Sequence, residues 1–197
     1  MNSLLKERPV LCDSAIVRVA TQLMLEQGYS AMSMRTLART LGVHAGSLYY
    51  HFPGKRELLE QVLTSVLQER LDAWQAFKPA LGGVLDQFDA FVLFHLRRSI
   101  EFGGEERLVE RDMRHIDEAS QCQLIKLHAR YVGELREIIT HGIEQELFQV
   151  CNIDLLAQCM LSMLSGVIIA MGSEAVTVRS LTDPVAMLCR KLVQVRH

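Results

Sequence analysis

The chain has 197 residues, 49% of them hydrophobic, and a formal net charge of −2. That is room for one small domain and one larger helical domain, with enough apolar content for a sizeable core and a buried interface. A charge near zero argues, taken alone, against a nucleic-acid binder.

Residues 1–11 read as a mobile basic tail. Asp13 or Ser14 caps a first helix, whose inner face is Ile16, Ala20, Leu23 and Met24 and which Gly28 ends. A second helix, 34–41, sets Met34, Leu37, Ala38 and Leu41 at helical spacing, with Ser33 at the N-cap position and Gly42 where it must stop. A third short helix, 45–51, is plugged onto the second by Val43, Leu48 and Phe52. Pro53-Gly54 turns the chain, and Lys55 starts a long helix to 77 with the stripe Leu59, Val62 or Leu63, Val66, Trp74 and Phe77. Pro79 and Gly82-Gly83 break it. A helix over 84–102 ends at Gly103-Gly104, a short charged helix spans 106–116, and a long one spans 120–147. Asn152 or Asp154 caps a helix to 171, and Asp183, with Pro184 at the first helical position, opens the last. The fold class is therefore all-α, about nine helices, without strand-like alternation or repeats. It divides into a helix-turn-helix domain, 1–56, and a larger helical domain, 57–197.

The charge divides with it. Residues 1–56 carry seven bases against three acids, a net of +4; residues 57–197 carry 14 bases against 20 acids, a net of −6. A basic head on an acidic body fits a head that meets DNA. On that head Arg35, Arg39, Ser47, Tyr49, Tyr50, His51 and Lys55 point outward, a donor-rich surface on a compact helix-turn-helix.

This run resembles the DNA-binding domain of the TetR (tetracycline repressor) family of bacterial transcription regulators, over roughly residues 10–60. The matching pieces are Gly28-Tyr29-Ser30, Leu37-Ala38, Leu41-Gly42-Val43, Ser47-Leu48-Tyr49-Tyr50-His51-Phe52, Lys55 and Leu58-Leu59. The rest of the chain matches the family only in length and helical pattern. The resemblance implies that Tyr49 and His51 contact phosphates and base edges. Tyr49 can donate to a phosphate or cover a thymine methyl, while for Tyr50 packing under the helix competes. Lys55 at a helix amino end suits a phosphate. Ser33 and Ser47 suit phosphate clamps, Ser33 also a structural cap. Arg35 is the candidate for a bidentate guanine contact, with Arg39 as readily solvated. Ala45 and Gly46 offer no side-chain donors, so discrimination rests on few residues and on DNA shape.

The body carries two further expectations. Ser162, Ser165, Gly166 and Ile169, with Gln158, form one small-residue face, and Val185, Leu188, Leu192 and Val195 repeat near a heptad. Together they suggest a four-helix homodimer interface, as the resemblance implies, although either stripe also suits the chain's own core. Leu67, Leu71, Trp74, Phe91, Phe94, His95, Leu127, Tyr131, Met160 and Met163, with Phe88, offer apolar walls for a small hydrophobic ligand, or an ordinary core. Arg97, Arg98, Arg107, Arg111 and Arg114 suit surface ion pairs with Glu105, Glu106, Glu110 and Asp112. In the sharper reading Arg111 and Arg114 hold the phosphates of an anionic effector such as an acyl-coenzyme A.

Cys12, Cys122, Cys151, Cys159 and Cys189 include no Cys-x-x-Cys pair, which fits buried free thiols in a reducing cytosol, with a redox switch as the competing use. No signal peptide opens the sequence, and the longest apolar run, 159–172, is too short to span a bilayer, so the expectation is a cytoplasmic protein without a membrane partner. The histidines lack metal-ligand spacing, and neither a catalytic motif nor a cofactor signature occurs. The expected function is a ligand-responsive regulator, most simply a repressor, that binds a palindromic double-stranded DNA operator as a dimer. The alternatives are a helical hydrophobe-binding protein without DNA function and a thiol-based redox sensor on the same scaffold.

Overall fold

The computed structural model describes residues 11–171 and 178–194, with side chains described except at 167–171 and 178–180. The expected basic tail, the side chain of Ile169, and Val195 thus lie outside the described residues. Within them the chain forms nine α-helices and no strand. They are α1 (Asp13–Gln27), α2 (Met34–Leu41), α3 (Ala45–His51), α4 (Lys55–Phe77) and α5 (Val84–Glu101), then α6 (Gly103–Asp112), α7 (Glu118–Glu144), α8 (Ile153–Met171) and α9 (Val178–Leu192). A 3-10 turn, Met113–His115, follows α6.

Local chemistry sets most of these boundaries. Ser33 Oγ accepts from Thr36 N at 3.1 Å, and Asn152 Oδ1 accepts from Leu155 N at 2.9 Å, each an N-cap. Gly42 ends α2 in the left-handed region at φ 67°. Four expectations are corrected. Cys12, not Asp13 or Ser14, holds the N-cap position of α1. Asp117, three residues before the expected start, caps α7 by accepting from Ser120 N. The Gly103-Gly104 pair does not break the chain; it opens α6, with Phe102 as the hinge residue between two helices. Pro184 lies inside α9, which starts earlier, at Val178.

Two hydrophobic clusters result. The first joins α1, α2 and α3 to the first half of α4 and continues onto Leu108, Val109, Ile116 and Leu124 of the body. The second fills the space between α4, α5, α7, α8 and α9 around Trp74, Phe88, Phe91 and Tyr131. α5 is its centre and packs against α7, α8 and α9.

The cysteines do not follow expectation: Cys12, Cys122, Cys151 and Cys159 are exposed, and only Cys189 is buried. Burial pushes the Cys189 thiol up to about 12. Small apolar size permits core placement, but helix register decides it, and Cys159 shares the outward face of α8 with Gln158 and Ser162.

One close approach requires glycine. At Gly142 in α7 a Cβ would collide with the Phe148 ring, which packs edge-on against Phe88 at 5.3 Å and is 3% exposed. Gly142→Ala adds helix propensity worth about 1 kcal/mol. Because the ring is clamped on both sides, overpacking of about 1–3 kcal/mol outweighs it. Urea unfolding is expected to show a net loss of stability; a stabilised variant would mean the ring moves freely.

Candidate nucleic-acid interface and effector core

The head presents its donors on a rigid base. Leu48 is fully buried and Phe52 nearly so, which fixes α3 against α2. Tyr49 is 51% exposed and Tyr50 88%, so Tyr50 does not pack under the helix. Ser47, Arg35 and Arg39 are exposed as well, and a Cβ at Gly46 would meet open space. The outward surface of α3 thus presents two exposed tyrosines, with a backbone at Gly46 that another molecule can approach closely.

Three of the expected contacts are tied to other parts of the head. Ser33 spends its oxygen on the α2 cap. His51 Nδ1 lies 2.6 Å from Asp13 Oδ1, which bolts the end of α3 to the start of α1. Lys55 Nζ donates to the Ser30 carbonyl at 3.1 Å and sits 4.3 Å over the Tyr29 ring, with burial lowering its pKa. A lysine so held presents its charge from a fixed position and gives up little rotamer freedom on meeting a phosphate. Tyr29 also lies 5.0 Å from the His115 ring of the 3-10 turn, so the head's lysine support touches the body. The sequence offers Asp13 only as a helix cap and Tyr29-Ser30 only as part of the resemblance, because their ties to His51 and Lys55 depend on contacts across the fold.

In the body, the expected ligand walls pack on one another. Trp74 lies 4.8 Å from Phe91 and 5.5 Å from Phe94, and Phe91 lies 5.2 Å from Tyr131. Leu71, Met160 and Met163 complete this core, Leu127 bridges both clusters, and Leu67 belongs to the head-side cluster instead. A cleft of about 900 Å³ lies elsewhere, between α1 and α4, and none of the expected wall residues lines it. His95 is held by the Tyr131 hydroxyl at 3.0 Å and the Ser165 hydroxyl at 3.1 Å, and burial pushes its pKa down to about 3, so it is neutral.

One expectation about the outer helices is corrected here: Val185 is 6% exposed, packed in its own core and so turned away from a partner. Ser165 is half-buried, and its hydroxyl is engaged by His95. Ser162, Leu188 and Leu192 do face outward, joined by Leu155 and Met187. Periodicity marks an apolar stripe without saying which side of the helix meets a partner.

The arginines are also rearranged. Arg111 is engaged by its neighbour, the buried Asp112, at 2.6 Å, and Arg114 is exposed on the 3-10 turn, so neither lies among the buried aromatics. The buried guanidiniums are Arg70 and Arg98, 4% and 7% exposed. Both pair with Glu106, Arg70 Nη1 at 2.7 Å and Arg98 Nε at 3.2 Å. The surface-pair reading therefore fails for Arg98 and Glu106. Arg70 was legible in principle, since 66, 70 and 74 fall on one face of α4.

Residues 16–62 match the family described as "Bacterial regulatory proteins, tetR family", and residues 82–169 match "Tetracyclin repressor-like, C-terminal domain". The chain belongs to the TetR family. TetR-family proteins are helix-turn-helix, DNA-binding transcription regulators. An HTH-type transcriptional regulator SrpR of Pseudomonas putida is 28% identical over 147 residues, which cover 71% of this chain and 64% of that protein's length. Among solved structures, a TetR-family regulatory protein from Rhodococcus RHA1 superposes with a TM-score of 0.83 at 16% identity, covering 94% of this chain and 98% of that one. The regulator AibR, solved with isovaleryl-coenzyme A and operator DNA, superposes with a TM-score of 0.79 at 16% identity, covering 93% and 99%. At these identities the structural likeness establishes the TetR fold. Among the described residues no helix is long and apolar enough to cross a membrane.

A pH response follows from Glu134 of α7, which accepts from Trp74 Nε1 at 3.0 Å, Gln75 at 2.6 Å and Lys78 at 2.8 Å. Burial raises its pKa, but these donors outweigh burial and the net shift is downward. The anchor is therefore complete above the ordinary glutamate value and is lost as pH falls through the lower, folded-state value. Acid titration of Trp74 fluorescence should show this transition below the ordinary carboxylate range. Glu134→Gln should remove it; persistence in that variant would assign the transition elsewhere.

Proposed function

We propose that this chain is a homodimeric transcriptional repressor that grips a palindromic operator in the absence of ligand and is released by a small hydrophobic effector held in the body. The observation that carries the DNA half is the exposed face of α3, Ser47, Tyr49 and Tyr50 beside open Gly46, with Lys55 braced next to it. Arg35 adds a candidate guanine contact from α2. A head this small makes few contacts, and two of them on a palindrome double the number. The cytoplasm, where DNA is, is the corresponding location.

The effector half rests on the continuity of α4. Its head end is buried with α1 and α2 and its body end with Trp74, so a ligand that repacks the body acts on the head spacing. The neighbour solved with isovaleryl-coenzyme A and operator DNA has the same fold, which supports an acyl-type effector. A gel shift of the dimer against the DNA upstream of its own gene tests the proposal; lack of any sequence-preferring complex would overturn it.

Lys55→Ala should weaken binding to every DNA sequence and flatten the slope of log affinity against log salt by about one counterion per subunit. An unchanged slope would remove Lys55 from the phosphate contacts.

The dimer interface is proposed on the outward faces of α8 and α9, centred on Ser162, Gly166, Leu188 and Leu192. Within one subunit a Cβ at Gly166 would meet nothing within 4 Å. Gly166→Leu should therefore leave the subunit folded, while a partner helix meeting this face would be overpacked by about 1–3 kcal/mol. Light scattering is expected to show a shift toward monomer with parallel loss of operator binding. A variant that stays dimeric would move the interface elsewhere.

A further inference from the structure

A buried ionic cluster of Arg70, Arg98 and Glu106 joins α4, α5 and α6. Arg70 and Arg98 are both ionised at any pH the protein meets. Glu106 is the one carboxylate they share. The other groups packed on Arg70 bring no charge. His128 accepts at 2.8 Å from Arg70 Nη2, and burial together with the Arg70 charge lowers its pKa. His95 is neutral, and burial raises the pKa of the Tyr131 phenol, whose ring lies under the Arg70 guanidinium at 4.5 Å. Glu105 lines the α1/α4 cleft and interacts electrostatically with Arg98, so the cluster holds a second carboxylate. Arg98 Nη2 is taken by the Val66 carbonyl at 3.4 Å.

Arg70 Nε is buried and has no hydrogen-bond partner among the described residues. Nε and Nη2 form one edge of the guanidinium fork, the edge that meets a carboxylate with two parallel hydrogen bonds. On Arg70 that edge has one empty donor and one donor spent on a neutral imidazole. The same edge of Arg111 and of Arg190 carries a carboxylate, from Asp112 and Asp89 respectively. The guanidinium lies over Tyr131, a member of the aromatic core that also holds Trp74, one turn along α4.

We propose that the Nε/Nη2 edge of Arg70 is the seat of a carboxylate group on the effector, an acid with an apolar tail, which displaces His128 and fills both donors of that edge. This inference rests on the effector-responsive reading above and names the chemical class of the effector. The tail enters the aromatic core beside Trp74, and the loss of the Arg70–His128 bond loosens α4 from α7. No bond is made or broken beyond these hydrogen bonds.

The test uses the full-length protein and matched probes: straight-chain acids from butyrate to dodecanoate, the alcohols of the same length, and decanoyl-coenzyme A. Operator binding and the emission of Trp74, the only tryptophan, are read together. At least one acid is expected to act at a concentration about tenfold or more below its alcohol, the scale of a charge-assisted hydrogen bond. Arg70→Met should abolish that ratio and leave the alcohol response in place. Glu106→Gln, which removes the carboxylate charge that Arg70 holds while keeping the shape, should make the acid more potent. Acids and alcohols of equal potency, or inert acids, would overturn the inference. An acid advantage that survives in Arg70→Met would do the same, as would action by decanoyl-coenzyme A alone, which would point to the thioester. Should Arg70→Met fail to fold, an unchanged or weaker acid preference in Glu106→Gln overturns it. Failure of the unliganded dimer to bind any operator would sink the regulatory reading instead, and Trp74 emission would still decide this one.

Discussion

Two hydrophobic cores share one helix, and that sharing constrains everything else in the chain. At 1.5 Å per residue the 23 residues of α4 extend roughly 35 Å. Leu58, Leu59, Val62 and Leu63 close the head core, and Leu71 and Trp74 enter the body core. No glycine or proline interrupts the helix between them, so it has no built-in kink. Close-packed cores do not deform smoothly, so a change at the body end is passed on as a tilt of the whole rod.

α6 gives the same two ends a second connection. Its apolar residues Leu108 and Val109 belong to the head-side cluster, while Glu106 on its polar side holds Arg70 and Arg98. The 3-10 turn that follows brings His115 against Tyr29, which supports Lys55. A buried ion cluster is weak evidence for stability, since well-packed apolar groups often do as well. Its value here is better understood as registry: it ties α4, α5, α6 and α7 at one point, and that point lies between the two cores. The acidic body and basic head then read as separate tasks, one for partner choice and one for phosphate attraction.

The sequence made the head legible because its signals are local. Ser33, Gly42 and Lys55 mark helix ends by backbone chemistry that needs no distant partner, and the observed α2, α3 and α4 start and stop where those residues dictate. The all-α class followed from periodicity for the same reason. The misreadings come from non-local packing. Gly103-Gly104 carries a breaker signal, yet a helix forms through it because Leu108 and Val109 have a core to enter. Pro184 marks a favourable helix start, but the burial of Leu181 in the core carries α9 back past it. Val185 and Leu188 fall on one heptad stripe, but only the three-dimensional packing shows that the first faces inward and the second outward. Arg70 was hidden because an arginine on an inner stripe is normally taken for a snorkelling surface residue. Arg98 was visible, and was assigned to the surface because its run of neighbours is charged.

Magnitudes decide whether so small a device as one guanidinium edge is adequate for regulation. Coupling between effector and DNA in allosteric proteins is typically about 1–3 kcal/mol. A hydrogen bond to a charged group contributes about 1.5–3 kcal/mol. The two ranges overlap, so filling the open edge of Arg70 supplies enough differential binding without any wholesale rearrangement of the core. Linkage makes the exchange symmetric: whatever the carboxylate takes from operator affinity, the operator takes from carboxylate affinity. An unpartnered buried donor is then the feature that makes the empty state responsive. An edge already filled would have nothing to gain from an acid, and α4 would have no reason to move.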